Sequence, residues 1–241
     1  MQQYFLIKDS NKYKLNDNDL YHLKVVLRAK DGYQFIGVLD DKLYLSSYRI
    51  KESDYYIELI CEMDRDSELP IYIKVYQALI RNENFDLTIQ KVTELGAKEI
   101  FPTIFERNVV KIDKSKEESK INRYQSIVNM AVNQSKRDFI PKVSNPIKVK
   151  DIVLEDDEIG LVAYENNKDT KSLSELKKDI KNAEKISIVI GPEGGITKDE
   201  YDTLINKGFK SISLGKRILR SETATISLMA MLAYIIECEE S

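Results

Sequence analysis

The stretch that decides the fold is Lys185–Ala224, KISIVIGPEGGITKDEYDTLINKGFKSISLGKRILRSETA. It begins with the β-branched run Ile186–Ile190, and the glycine-rich segment Gly191–Gly195 follows at once. Such a run, closed by Gly and Pro, predicts a buried strand that ends in a tight loop. Thr197 then has the position of a helix N-cap, with Glu200 at the capping-box spacing. The loop is therefore expected between a strand end and a helix start, where α/β proteins bind small molecules.

A second group of special residues occupies positions 213–224. Leu214 closes another short apolar strand, Gly215 breaks it, and a basic turn follows. Ser221 is predicted to cap a final helix, and Glu222 is favourably placed against the N-terminal dipole of that helix.

One glycine-containing turn after a strand is more often a simple tight turn than a ligand site. Here two such loops each follow an apolar strand, which favours a nucleotide-like pocket. A third strand, Ile159–Glu165, leads to an Asn-Asn loop, and its end is expected beside Gly191 because both are carboxyl ends of one parallel sheet. Neither loop has the pattern G-x-G-x-x-G or G-x-x-x-x-G-K-[ST], so a Rossmann dinucleotide site and a P-loop are disfavoured.

The two motifs IVIGPEGGITKDE and SLGKRILRSETA together resemble the cofactor-binding signature of the SPOUT methyltransferases. They resemble most the RsmE family, bacterial methyltransferases that act on uridine N3 of 16S ribosomal RNA. The resemblance implies an S-adenosylmethionine cofactor, a C-terminal trefoil knot and a homodimer. It implies cofactor contacts by Ala163, Tyr164, Gly191, Pro192, Glu193, Gly194, Gly195, Leu214, Gly215, Ile218, Leu219 and Arg220.

Composition limits the remaining possibilities. The chain has 241 residues, of which 42% are hydrophobic and 32% charged, with a net charge of -3. These values predict a soluble protein, and the absence of a long apolar run or signal-peptide pattern predicts a cytoplasmic one without membrane segments. Cys61 and Cys238 are widely separated, and His22 is the sole histidine, so a metal site is not expected.

The domain organisation follows from a change in pattern at residues 63–70, MDRDSELP. Residues 1–66 carry short strands with turn signals and one helix, Asp17–Arg28, which predicts a small β-barrel. The family resemblance implies an N-terminal RNA-binding barrel similar to PUA domains. Residues 71–241 alternate strands with helices, which predicts an α/β domain with a parallel sheet.

Positive charge is concentrated in residues 107–150, which hold eleven basic and four acidic residues. Such an excess is usually a solvated face, but beside a nucleotide-like pocket it also fits a phosphate-contacting surface. Family patterns occur nearby: QKxTELG includes Lys91, and a Q-S-x-R-x-x-x-P segment closes a long helix predicted over Lys116–Arg137. The resemblance therefore implies RNA contacts by Lys91, Arg107, Gln134, Ser135 and Arg137. Lys91 has an alternative as an exposed i,i+3 pair with Glu94, and Asn133 stands where the family usually has an acid.

Methylation of uridine N3 requires loss of a proton and stabilisation of charge on the uracil oxygens. Arg220 is the first candidate for the charge-stabilising role and Arg107 the second. Glu222 and Glu193 are candidates for the base, although each has a purely structural alternative. The chain's last helix, Glu222–Glu237, is apolar nearly all round, so it is expected to be buried, with part of it at a dimer interface.

Two other functions remain open from the sequence. One is a related SPOUT enzyme that methylates a ribose 2′-oxygen or another base. The other is a catalytically silent, RNA-binding assembly factor, which the two intact glycine loops argue against.

Overall fold

The structure, a computed structural model, describes residues 1–10, 12–52, 54–65, 67–164 and 170–238. These divide into two units. The first comprises Met1–Glu68 and Asn133–Phe139, and the second comprises Leu69–Val132 and the chain from Ile140 onward. The sequence placed the 133–139 segment in the second domain, so its membership of the first unit is a finding of the structure. The Asn-Asn loop expected after Tyr164 lies outside the described residues.

The first unit is a closed five-stranded barrel in the order β1-β2-β5-β4-β3. Its strands are β1 (Gln3–Asp9), β2 (Lys12–Leu15), β3 (Tyr33–Leu39), β4 (Lys42–Lys51) and β5 (Asp54–Met63). Neighbours pair antiparallel except β1 and β3, whose parallel pairing closes the barrel. The core is formed by Tyr4, Leu6, Leu15, Leu23, Phe35, Tyr48 and Ile57. The predicted small barrel is therefore present.

The helix predicted over Asp17–Arg28 differs in form. Helix α1 spans Asp17–Tyr21, and a π-helical turn, His22–Val26, continues it. Asn16 caps its start, because the Asn16 side chain accepts from the backbone N–H of Asp19 at 2.9 Å. The wider turn is closed by an i→i+5 hydrogen bond from the backbone N–H of Leu27 to the carbonyl of His22 at 2.9 Å.

The second unit has a parallel sheet in the order β12-β10-β11-β6-β7-β8, with β9 also paired to β7. Its strands are β6 (Tyr72–Ala78), β7 (Glu99–Ile104), β8 (Lys142–Val143), β9 (Ile147–Lys148), β10 (Glu158–Ala163), β11 (Lys185–Ile190) and β12 (Lys210–Ile212). Its helices are α2 (Asn82–Glu94), α3 (Glu117–Ser135), α4 (Lys177–Asn182), α5 (Lys198–Asn206) and α6 (Ser221–Glu237). Every pairing in this sheet is parallel, which confirms the predicted sheet type.

Pro102 shows how the sheet accommodates a residue without a backbone donor. The outer side of β7 is not covered by one continuous strand: β8 pairs with Glu99 and Ile100, and β9 pairs with Thr103 and Ile104. Pro102 lies in the gap between them. A proline inside a predicted strand favours an edge position or an irregularity, because it has no N–H to offer an outer neighbour. The structure has the irregularity.

Three helix boundaries differ from the sequence prediction. α3 ends at Ser135 and not at Arg137, because Lys136 adopts a left-handed conformation with φ 59°. The amphipathic spacing of the sequence predicts a helix over Ser172–Lys181, and α4 is shorter, spanning Lys177–Asn182. Ser221 is the first residue of α6 and not its cap, since the N-cap position belongs to Arg220. The capping box of Thr197 and Glu200 is present as predicted.

Candidate active site

Three neighbouring strands of the second unit end at the same level. Ala163 of β10 is in register with Ile190 of β11 on one side and with Ile212 of β12 on the other. A cleft of about 420 Å³ opens at these three carboxyl ends. This is the edge of a parallel sheet at which α/β proteins place their ligands.

The two glycine-containing loops predicted from sequence meet at this cleft. One follows β11, and the other connects β12 to α6. Of the residues expected to contact a cofactor, all except Gly194 line the cleft: Ala163, Tyr164, Gly191, Pro192, Glu193, Gly195, Leu214, Gly215, Ile218, Leu219 and Arg220. The sequence did not name a further group of lining residues: Thr170, Ile190, Ile196, Ile212, Ser213, Lys216, Arg217, Ser221 and Ala224. Most of these lie inside the two motifs or at strand ends, where the motif spacing itself could have indicated them.

The glycines of these loops are required for different structural reasons. Gly195 and Gly215 adopt φ values of +75° and +116°, and a Cβ at either position would meet no atom within 4 Å. Both line the cleft, so a ligand can approach their backbones closely. At Gly191, a Cβ would lie 2.5 Å from Cγ1 of Ile196, so this glycine is required by internal packing.

Gly194 is explained by Arg107 and not by the cleft. The Arg107 guanidinium donates through Nη1 to the Gly194 carbonyl oxygen at 3.3 Å. A Cβ on Gly194 would lie 3.0 Å from both Cβ and the carbonyl oxygen of Arg107. Arg107 itself is exposed and does not line the cleft, so its place is the outer side of the glycine loop.

Tyr164 forms an aromatic part of the wall. Its ring stacks on that of Tyr201, with centroids 4.1 Å apart and planes inclined by 22°. Tyr201 belongs to the buried core of this unit, so the stack fixes the position of the Tyr164 ring.

Charged groups at the cleft are mainly cationic. Lys216, Arg217 and Arg220 are exposed lining residues, and Glu193 is an exposed acid among them. This arrangement favours a negatively charged or electron-rich partner at the mouth of the cleft.

Glu222 is not among the lining residues. It is only 8% exposed, and its Oε1 accepts from Nδ2 of Asn84 at 3.1 Å. Its Oε2 is buried and has no hydrogen-bond partner among the described residues. This placement does not fit a base that acts inside the cleft, because the contact made by the carboxylate is with α2.

The residues expected to contact RNA differ in their exposure and in their contacts within the protein. Lys91 is engaged by Glu94 at 2.8 Å, which is the structural alternative considered for it. Gln134 is exposed and Ser135 is half-buried.

Arg137 is only 2% exposed and forms an ion pair with Glu68 at 2.5 Å within the first unit. Arg137 is thus held in an internal ion pair, a placement that does not fit the expected RNA contact. The positive φ of Lys136 turns the chain out of α3 immediately before this residue.

Two features are absent from the part of the chain that the structure describes: a cluster of metal-ligating side chains and a helix that could cross a membrane. No group of three or more His, Cys, Asp or Glu side chains is arranged to hold a metal ion there. Among the same residues, no helix has both the length and the apolar character required to cross a bilayer.

Comparison with known proteins gives the family. A family profile described as an RNA methyltransferase domain matches residues 67–233. The ribosomal RNA small subunit methyltransferase E of Mesomycoplasma hyopneumoniae is 33% identical over 224 residues, covering 92% of this chain and 94% of that protein. The chain belongs to the RsmE family of RNA methyltransferases.

Two solved structures of methyltransferases extend the comparison to the fold. RsmE of Neisseria gonorrhoeae, solved bound to S-adenosylmethionine, is 28% identical, with a TM-score of 0.84 over 98% of each chain. A methyltransferase of Legionella pneumophila, solved with the same cofactor, is 27% identical, with a TM-score of 0.79 over 96% of each chain. Both match the fold of this chain over nearly its whole length.

Proposed function

We propose that this chain transfers the methyl group of S-adenosylmethionine to N3 of a specific uridine in the 16S ribosomal RNA of the small subunit. The observation that carries the proposal is the meeting of the Gly191–Gly195 and Gly215–Arg220 loops at one cleft in a chain of the RsmE family. The M. hyopneumoniae relative is named for small-subunit rRNA methylation, and the N. gonorrhoeae relative holds the cofactor.

The cleft fits S-adenosylmethionine. Its volume lies within the range of small-molecule pockets, about 300–1,000 Å³. Gly195 and Gly215 offer backbone without side-chain obstruction, and the ring of Tyr164 supplies an apolar wall. The bound cofactor would supply an activated methyl group. The protein would then act mainly by aligning the uridine nitrogen with that methyl group, because positioning of the reactants contributes most to the rate of such a transfer.

Residues at the cleft would remove the N3 proton and stabilise the negative charge that develops on the uracil. Arg220 would stabilise negative charge on a uracil oxygen, since it is an exposed cation that lines the cleft. Two acids were considered as the base, and of these Glu193 lines the cleft and Glu222 does not. Glu193 is therefore assigned as the base that removes the proton from N3. Arg107 would support the glycine loop through the Gly194 carbonyl.

RNA would be held around the cleft mouth. N3 lies on the Watson–Crick edge, so the target base has to be unpaired or flipped out. Lys216 and Arg217 are exposed at the cleft and are placed to contact phosphates beside that base. The remaining exposed cations of residues 107–150 and a PUA-like N-terminal barrel would extend the contact.

Assembly and topology complete the proposal. We assign a homodimer, because Met231 and Tyr234 of α6 are 40% and 56% exposed beside a groove of about 720 Å³. A cytoplasmic location is proposed because small-subunit rRNA is the proposed substrate. A C-terminal trefoil knot is also proposed. This topology accords with the path of the chain, which leaves the edge strand β12 and continues into α6. Ser221, at the start of α6, accepts a hydrogen bond from Gln77 of the inner strand β6.

The test uses small subunits from cells that lack this protein, incubated with the enzyme and labelled S-adenosylmethionine. Digestion and mass spectrometry should give 3-methyluridine. A 2′-O-methylated or other product would move the function to a related SPOUT activity, and no product despite cofactor binding would contradict the assigned substrate. In the same assay, Arg220→Ala should lower kcat about 100-fold, with little change in cofactor affinity.

A further inference from the structure

A buried polar network lies behind the cleft. Its centre is the amide of Gln77 on β6, which is 0% exposed, and its other members are Ser221 and Thr225 on α6. Gln77 donates through Nε2 to the Ser221 hydroxyl at 3.0 Å and to its neighbour's carbonyl, that of Ala78, at 3.0 Å. The Thr225 hydroxyl donates to Oε1 of Gln77.

The network is saturated. Both N–H groups of the Gln77 amide have acceptors, and its oxygen has a donor. The Ser221 hydroxyl accepts from Gln77 and donates to the carbonyl oxygen of Gly191 at 2.7 Å. The amide therefore has a defined orientation, because reversing it would place its oxygen against the carbonyl oxygen of Ala78, which can only accept.

This network reaches the cleft at two points. Gly191 begins the loop after β11, and Ser221 ends the loop after β12, and both line the cleft. Gln77 and Thr225 do not line it. The hydrogen bond between Ser221 and Gly191 thus joins the two cofactor loops, and Gln77 holds the hydroxyl that makes it.

We infer that Gln77 is a positioning residue which, through Ser221, fixes the separation of the two loops and so sets the affinity for the cofactor. Thr225 supports it by fixing the orientation of the amide. The inference rests on the proposed function for the identity of the ligand. Its structural part, the joining of the two loops, does not depend on the ligand.

The test compares two threonines in the same local setting. The Thr225 hydroxyl also lies 3.0 Å from the carbonyl oxygen four residues earlier, that of Ser221, which therefore shares the single hydroxyl proton with Gln77. Thr88 on α2 donates to the carbonyl four residues earlier, that of Asn84, at 2.7 Å. Both are buried, at 0% and 1% exposure. Only Thr225 also contacts Gln77. Thr88→Val is therefore a matched control for Thr225→Val, and Thr225→Ser should restore the wild-type behaviour.

Calorimetry should show that Thr225→Val raises the Kd for S-adenosylmethionine about tenfold, the effect of one lost hydrogen bond, while Thr88→Val leaves it within about twofold. KM for RNA should stay unchanged in both variants. Equal Kd values for the two variants at comparable melting temperatures would overturn the inference.

Hydrogen exchange in the ligand-free protein separates this inference from the proposed function. Amides of residues 191–196 and 213–221 should exchange faster in Thr225→Val than in Thr88→Val. Absence of that difference would also overturn the inference. If the wild-type protein bound no S-adenosylmethionine, the proposed function would fail, while faster exchange would still support the joining of the two loops.

Discussion

Arg137, which is 2% exposed, forms an ion pair with the partly exposed Glu68, at 2.5 Å between Nη2 and Oε2. Glu68 also accepts the backbone N–H groups of Asp138 and Phe139 at 3.0 and 3.2 Å. The segment that follows α3 is thereby fixed to the end of the barrel sequence. A residue that the family resemblance placed at an RNA surface is in this chain part of the internal structure of the first unit.

Arg137→Ala should therefore lower the free energy of unfolding by about 2 kcal/mol, because it removes a buried guanidinium and leaves the partly buried carboxylate of Glu68 without its charged partner. Urea denaturation measures the change. Arg49→Ala is the control, since Arg49 pairs with Glu58 at the surface, where their side chains are 37% and 44% exposed, and should cost less than about 1 kcal/mol. Similar values for the two variants would contradict the structural role.

Gly215→Ala should weaken cofactor binding about tenfold, because the added Cβ would occupy the space in the cleft through which a ligand approaches this backbone. Gly208→Ala is the control: Gly208 also has a positive φ, +95°, but does not line the cleft. Both variants should lose about 1 kcal/mol of stability from backbone strain. Calorimetric titration with S-adenosylmethionine distinguishes them, and equal affinities would remove Gly215 from the site.

Lys216→Ala should reduce the slope of the logarithm of RNA affinity against the logarithm of salt concentration by about 1. The reason is that Lys216 is an exposed cation at the cleft. Lys91→Ala should have a smaller effect, since Lys91 is already engaged by Glu94 at 2.8 Å. Binding isotherms at several salt concentrations give the two slopes. A larger change for Lys91 would place the RNA along α2 instead.

Met231→Glu should convert the proposed dimer to a monomer, because Met231 contributes to the exposed apolar groove on α6. Leu87→Glu is the control, as Leu87 is similarly exposed, at 42%, on another helix. Light scattering after size exclusion gives the masses. A monomeric wild-type protein would rule out the dimer.

Alkaline pH should destabilise the second unit through Tyr76. Burial raises the pKa of Tyr76 from 10.0 to about 12, so the fold favours the neutral phenol. That stabilisation is fully present below pH 10 and is lost as the pH rises through about 12, by up to about 3 kcal/mol. Tyr76→Phe should flatten the decline between these values. Unfolding free energies measured from pH 9 to 12 provide the comparison, and parallel curves would contradict the role of Tyr76.

Local features of this chain were predictable because they depend on neighbouring residues. The run Ile186–Ile190 became a strand buried along its length, and Thr197 with Glu200 formed the expected capping box. Pro102 excludes a continuous outer strand at its position, because proline has no backbone N–H to donate to that strand. The positive φ of Lys136, which ends α3, has no such local signal, since lysine rarely adopts this conformation.

The sequence by itself determined the parallel α/β unit, the small barrel and the two glycine loops, because strand, turn and cap preferences act over a few residues. Tertiary structure decided which side chains face the cleft. Glu222 contacts Asn84, 138 residues earlier, and Ser221 contacts Gln77, 144 residues earlier. Gly194 and Gly195 are adjacent, yet only Gly195 lines the cleft, since the other packs on Arg107. Such contacts depend on strand order and helix packing, which no local pattern encodes.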